Sequence, residues 1–242
     1  MEEVRFFAKG SIDSSTVNAE NKSIMTLAAF GVKRLLDLVA SFIGMVVFSP
    51  AFLIIYIAIK HEDGGSAIFK QERVGYRGKI FTLYKFRSMA TTSEADGKPQ
   101  LCKGADDARL TRIGRFLREH HLDELPQLWN VFKGDMSFVG PRPERKYFVD
   151  KIMAINPDYE LLYQLRPGLF SEATLYNGYT DTMEKMLKRL HMDLDYYYNR
   201  SLWLDTKIIF LTIFSILSGR LGKKSIPVIF STSSTVIAEA FM

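Results

Sequence analysis

The sequence predicts a mixed α/β unit with a helix–break–helix membrane hairpin near its start and amphipathic interfacial helices toward its end. Three observations carry this expectation. An uncharged run from Leu38 to Ile59 is interrupted at Ser49-Pro50. A strand-like segment, Lys79 to Met89, is followed by a helical spacing of Leu110, Ile113 and Leu117. A shorter apolar stretch, Ile208 to Leu217, lies beside Trp203 and tyrosines 196 to 198. With 242 residues, 47% hydrophobic and 24% charged, the chain can bury one good core, which excludes disordered, collagen-like and disulfide-scaffold classes.

In chain order, residues 1–32 read as an N-terminal extension. Met1 to Asn21 is polar and lacks the basic-then-apolar layout of a secretory signal. Residues 33–62 read as the hairpin. The Leu38–Ile59 run is long enough, at ~1.5 Å per residue, to cross a ~30 Å hydrocarbon core. Yet Lys33 and Arg34 precede it, and Lys60, Lys70, Arg73, Arg77 and Lys79 follow it, so positive charge marks both ends as cytoplasmic. In its middle Pro50 lacks an N–H and crowds the carbonyl of Val46, while the Ser49 hydroxyl can bond back one turn. The expected result is a segment that dips into one leaflet and returns, with Lys33, Arg34 and Asp37 at headgroup level. A kinked spanning helix and a buried core hairpin are the alternatives.

Residues 63–219 carry the chemistry. The Lys79–Met89 strand is expected to place Phe81, Leu83, Lys85 and Arg87 on one face, and the helix after it to carry Arg112, Arg115 and Arg118. The block HHLDELPQLWNVFKGDMSFVGPRPE, His120 to Glu144, predicts a helix from near Asp123 to Lys133 with Gly134 as its left-handed terminator. Asp123 would then sit at a positive helix end, suited to a carboxylate that attacks or holds a phosphorylated group; a plain N-cap is the commoner role of such an Asp. Arg142, bracketed by Pro141 and Pro143, and Arg166, in Arg166-Pro167-Gly168, are rigidly presented guanidiniums. A carboxylate pair, Asp123 and Glu124, with Lys85, Arg118, Arg142 and Arg166 is the composition of a pyrophosphate site with a divalent cation.

Other chemistries lack their supports. A net charge of +5 favours anionic partners, but the basic residues lie beside an apolar run, with no helix-turn-helix or aromatic platform for nucleic acid. GxGxxG, GxxxxGK[ST], GxSxG and CxxC are all missing, and the single Cys102 forms no internal disulfide. His120 and His121 would point about 100° apart on a helix and cannot share one zinc ion. Residues 220–242 read as a C-terminal tail without a functional signal.

Taken together, KRLLD (Lys33–Asp37), the apolar run with Ser49-Pro50, YKFRSM (Tyr84–Met89), LDELPQLWNVFKGDMSFVGPRPE (Leu122–Glu144), RPG (Arg166–Gly168) and SLWLDTKII (Ser201–Ile209) resemble the bacterial sugar transferases, or monotopic phosphoglycosyl transferases. The resemblance covers about Lys33 to Gly219. It implies a small α/β catalytic domain resting on the cytoplasmic face of the bacterial inner membrane, anchored by the re-entrant hairpin. It further implies transfer of a sugar-1-phosphate from a UDP-sugar to undecaprenyl phosphate with release of UMP, through a covalent intermediate on Asp123. Glu124 would help hold Mg2+ or the incoming phosphate, with Asp123 and Glu124 as the metal ligands. Lys85, Arg118, Arg142, Arg166 and, by family position, Asp193 would form the phosphate site. Lys33, Arg34, Asp37, Ser49 and Pro50 would serve the membrane and lipid phosphate. The lipid bilayer and downstream glycosyltransferases are the implied partners, and nucleic acid is not among them. A scaffold of a glycan-assembly complex and a glycosyltransferase that releases UDP are the competing expectations. The segment RPGLFSEATLYNG departs from the family pattern, with Phe170 where members carry threonine.

Overall fold

The computed structural model describes residues 27–91, 93, 107–177 and 180–218. Most of the expected N-terminal extension, the 220–242 tail, the loop with Gly97 and Pro99, and Cys102 lie outside the described residues.

Helix α1 (Leu27–Val47) begins six residues before the expected hairpin boundary and is followed by α2 (Ser49–Asp63). The break falls where the sequence places it. The Ser49 hydroxyl donates to the Val46 carbonyl at 2.7 Å, Pro50 occupies the first turn of α2, and the two axes are bent by 60°. Among the described residues no single helix is long and apolar enough to cross a membrane, though the bent pair is by length and composition. Gly64, at φ 71°, ends α2 with its N–H on the Lys60 carbonyl.

Strands β1 (Ile68–Val74) and β2 (Ile80–Phe86) form an antiparallel hairpin in register from Ile68 opposite Phe86 to Val74 opposite Ile80. Helix α3 (Arg112–Glu119), capped by the Thr111 hydroxyl, confirms the expected basic amphipathic helix. A 3-10 turn (Leu122–Glu124) leads into α4 (Gln127–Lys133), which Gly134 ends at φ 98°. Strand β3 (Ser137–Val139) pairs in parallel with β4 (Gly168–Phe170). Between them lie α5 (Lys146–Met153) and a 3-10 segment (Pro157–Gln164). Helices α6 (Glu172–Asn177), α7 (Met183–Asn199) and α8 (Leu202–Leu217) complete the order. The fold is therefore mixed, with two small sheets set among helices.

The largest apolar cluster joins β1, α5, the 157–164 segment and α7 through Val74, Phe148, Ile152, Leu162, Met186 and Leu190. A second seats the end of the hairpin on the body, with Ile55 and Ile59 against Phe86 and Leu117. Two helices have inverted polarity. In α8 the buried stripe is Asp205, Ile208, Thr212 and Ser215, while Trp203, Phe210, Phe214 and Leu217 are exposed. In α1 Asp37 and Ser41 are buried, while Leu35, Leu36 and Phe42 are exposed.

Close approach of α3 to the body depends on Gly114. A Cβ there would lie 1.9 Å from the Ser88 carbonyl oxygen. This contact lets Arg118, one turn on, donate to the Ser88 hydroxyl at 3.1 Å. Gly114→Ala is expected to destabilise the protein by about 3 kcal/mol, measured by thermal or denaturant unfolding. A loss below about 1 kcal/mol would show that α3 can move away freely.

Candidate active site

The dyad is not at a helix N-terminus. The expected helix from Asp123 instead starts at Gln127, because Leu122–Glu124 closes as a 3-10 turn and Pro126 is the residue before α4. His121 enters this turn in the left-handed region, at φ 55°, a conformation costly for a residue with a Cβ. The turn directs both carboxylates inward. What holds them is therefore side-chain charge rather than a helix dipole.

Asn130 of α4 fixes the distance between dyad and strand. Its amide donates to the Thr82 carbonyl at 2.7 Å and accepts the Tyr84 N–H at 3.1 Å, so α4 pairs with the outer edge of β2. Lys85, the next residue, reaches Glu124 Oε1 at 2.6 Å, and Arg142 reaches the same oxygen at 3.1 Å. Arg118 Nε lies 3.9 Å from Asp123 Oδ2. The expected second cation of the strand face, Arg87, is not here: it turns to Asp63 at the end of α2 and to the Ser66 carbonyl.

The two carboxylates are pushed apart electrostatically. Burial raises the pKa of Asp123, opposed by Lys85 and reinforced by the Glu124 charge. Burial also acts on Glu124, but Lys85 and Arg142 outweigh it and hold Glu124 well below the usual carboxylate range. Glu124 is thus a fixed anion, neutralised by its own cations, and Asp123 is the poorly solvated member with the weaker contacts. A desolvated carboxylate beside a fixed one suits nucleophilic attack on phosphorus.

Arg142 is aimed by a buried layer behind it. Glu144, two residues on, pairs with Arg189 at 2.5 Å and with Arg73 at 3.3 Å, and Arg73 also donates to the Pro143 carbonyl. Arg189 and Arg73 hold Glu144 ionised against the cost of burial. Asp193 accepts the backbone N–H of Arg142, and burial, only partly offset by Arg189, pushes its pKa up to about 7. Glu144, Arg73 and Arg189 were not among the expected site residues. The acid directly after Pro-Arg-Pro was the one sequence signal for them.

Arg166 is placed elsewhere. Its Nε donates to the Gly134 carbonyl at the C-terminal end of α4, where Arg34 also donates to the Val131 and Phe132 carbonyls at 2.7 and 2.8 Å. Lys33 donates to the Val139 carbonyl and pairs with Asp205 at 2.5 Å, and Asp37 accepts the Phe138 N–H. Lys33, Arg34 and Asp37 are therefore docked into the body. Ser49 and Pro50 are exposed at the bend.

Among the described residues no three His, Cys, Asp or Glu side chains converge on one point. The donor set of the dyad still fits magnesium, which needs only one or two protein carboxylates and takes its other oxygens from phosphate and water. A divalent cation would also relieve the repulsion of the Glu124 charge on Asp123.

Residue Asp193 gives a test of the buried layer. A carboxyl whose pKa rises on folding binds its proton more tightly in the folded state between about pH 4 and 7, so its contribution to stability is greatest in acid and is lost as pH rises through 7. Asp193→Asn should therefore gain on the wild type by on the order of 2 kcal/mol between pH 5 and pH 8 in thermal melts. Parallel pH profiles of the two proteins would overturn the assignment.

Comparison with known proteins gives the family. The bacterial sugar transferase profile matches residues 28–219. The chain is 42% identical over 188 residues, 78% of its length, to the UDP-N-acetylgalactosamine-undecaprenyl-phosphate N-acetylgalactosaminephosphotransferase of Aeromonas hydrophila, of which the match takes in 44%. It is 43% identical over 188 residues to a UDP-glucose:undecaprenyl-phosphate glucose-1-phosphate transferase of Caulobacter vibrioides, covering 77% of this chain and 70% of that one. It is 40% identical to the Escherichia coli protein of the same name, over 76% of this chain and 40% of the relative. The matched segment thus spans less than half the length of the Aeromonas and E. coli relatives. The profile match over residues 28–219 and these identities lead to one assignment: this chain belongs to the bacterial sugar transferase family.

Proposed function

We propose that the chain transfers a sugar-1-phosphate from a UDP-sugar to undecaprenyl phosphate and releases UMP, as the first membrane step of glycan assembly. The observation that carries this reading is the Asp123–Glu124 pair, with the half-buried Glu124 neutralised by Lys85 and Arg142 and the buried Asp123 left as the desolvated carboxylate.

An Asp123 carboxylate oxygen attacks the β-phosphorus of the UDP-sugar. The bond from that phosphorus to the oxygen bridging the α-phosphate breaks, and UMP leaves with the bridging oxygen and its electron pair. The sugar phosphate is then held as an acyl phosphate on Asp123. A phosphate oxygen of the polyprenyl phosphate attacks the same phosphorus, freeing the carboxylate and forming the diphosphate-linked lipid. Arg142, aimed by Asp193 and Glu144, and Arg118, held by Ser88, stabilise charge on the transferring group, and Lys85 keeps Glu124 ionised. Magnesium, held by Asp123 and Glu124, would supply neutralisation of the pyrophosphate charge that otherwise repels a carboxylate nucleophile.

Inverted polarity supports a membrane setting. Exposed Leu35, Leu36 and Phe42 of α1, Leu53 and Ile54 of α2, and Trp203, Phe210 and Phe214 of α8 form apolar surface that water would not favour and a bilayer would. The 60° bend suits entry into and return from the cytoplasmic leaflet of the inner membrane. Glycosyltransferases that extend the lipid-linked product are the further partners this reading implies.

Purified protein with magnesium, a panel of UDP-sugars including UDP-glucose and UDP-N-acetylgalactosamine, and undecaprenyl phosphate should give lipid-dependent UMP. Release of UDP would favour a glycosyltransferase, and no nucleotide from any donor would favour a scaffold. Asp123→Asn should lower UMP release by about three orders of magnitude while leaving the protein bound to membranes. Turnover of this variant near the wild-type rate would remove Asp123 as nucleophile.

A further inference from the structure

A second site lies beyond the other end of α4. The dyad precedes the N-terminus of this helix, and Arg34 and Arg166 bind carbonyls at its C-terminus. The seven residues between them, at ~1.5 Å each, separate the two places by roughly 10 Å or more. There a cavity of about 1100 Å³ opens between α1, the turn of the β1–β2 hairpin, the 157–164 segment and the end of α7. Asp123, Glu124, Lys85, Arg118 and Arg142 do not line it.

Its wall carries Lys33, Arg34, Arg77, Arg166 and Arg200. The Tyr76 ring carries two guanidiniums, Arg77 at 5.0 Å and Arg166 at 5.2 Å. Arg166, whose Nε is held by the Gly134 carbonyl, is among the residues that line the cavity. Among the described residues Arg77, Arg166 and Arg200 make no ion pair. Two buried polar atoms on the same wall, Ser137 Oγ and Arg200 Nε, have no hydrogen-bond partner, and Ser137 is 1% exposed. Three carboxylates also line the cavity: Asp37, which accepts the Phe138 N–H and supports Arg34, and the exposed Asp158 and Glu160, so five cations face three acids and the wall stays net positive. Arg77 is moreover held at φ 57°, a strained position that glycine would fill more easily and that native folds retain where the side chain has a use. Two guanidiniums on one ring, one of them the half-buried Arg166, with the buried Ser137 hydroxyl unpartnered on the same wall, form a place where an anion would be bound favourably.

The position of the cavity selects the kind of anion. Its α1 wall presents Phe30, Lys33 and Arg34, while Val32, Leu35 and Leu36 on the same turns are exposed apolar side chains. A phosphate that enters here has acyl-chain surface immediately next to it. We infer that this cavity is a second anion site, distinct from the dyad, that takes the phosphate headgroup of an acidic phospholipid and thereby fixes how the body sits on the bilayer. The inference rests on the membrane setting proposed above.

The test is binding of the full chain to phosphatidylcholine vesicles with and without phosphatidylglycerol, with UMP release followed on the same preparation. The wild type should prefer vesicles containing phosphatidylglycerol. Arg77→Gly should lose about fivefold in that preference, the effect of one arginine at an acidic surface, and should melt higher than the wild type because the strain is relieved. Tyr76→Leu should lose preference as well, through the two guanidiniums it supports. Without vesicles, inorganic phosphate at constant ionic strength should not bind the chain measurably at millimolar concentration; saturable binding of free phosphate there that Arg77→Gly and Tyr76→Leu weaken would make free phosphate the ligand, and the lipid assignment falls. Full preference in both variants, or none in the wild type, overturns the site. Loss of UMP release with the preference intact would sink the proposed reaction and leave this site standing, and the converse result would do the opposite.

Discussion

Docking of α1 into the body is the constraint on which the other parts depend. Three polar side chains within five residues make it. Lys33 ties α1 to Asp205 of α8 and to the end of β3, Arg34 takes the last carbonyls of α4, and Asp37 takes the Phe138 N–H inside β3. Buried ions are costly unless paired and hydrogen-bonded, so these three side chains permit essentially one register of α1 against α4, β3 and α8. The position of α4 is then passed on through Asn130 to β2, and β2 delivers Lys85 to the dyad. Helix α1 and the dyad are thus linked by a short run of hydrogen bonds and ion pairs.

Charge at the site is arranged in layers. Glu124 is bound directly by Lys85 and Arg142. Behind Arg142, Glu144 and Asp193 anchor the loop by its side chains and by its backbone, and Arg73 and Arg189 neutralise Glu144. A lone arginine between two prolines would point in a fixed but arbitrary direction. The buried acids behind it select the direction that meets Glu124.

Much of the local structure was legible in the sequence. The Ser49-Pro50 break, the Gly134 terminator and the basic helix around Arg118 each follow from a residue's own backbone preferences or from a spacing of three or four residues, and each is found. The dyad and Arg142 were legible as a motif. The helix start was misread because Asp123 and Pro126 resemble a cap and first turn, whereas the buried contacts of Glu124 favour a tighter 3-10 turn. What was not legible depends on partners far along the chain. Arg87 meets Asp63 across 24 residues, Arg73 meets Glu144 across 71, and Arg34 meets Val131 across 97. No periodicity within a window reports such pairs, and for the same reason Arg166 was expected beside the dyad rather than at the far end of α4.

The Lys33–Asp205 pair also sets an order of assembly. Its partners are 172 residues apart, so at ~5–20 residues per second of synthesis Lys33 exists for roughly 9 to 34 s before Asp205 is made. During that interval the apolar hairpin is complete and its lysine lacks the Asp205 carboxylate, while β3 and Tyr196, which also bonds Asp205, are still being produced. The hairpin must therefore find its surroundings as an autonomous unit, and the body closes onto it last. Late closure by this partly buried ion pair makes α8 a clasp on α1, and truncation before α8 would leave the hairpin without a properly seated domain.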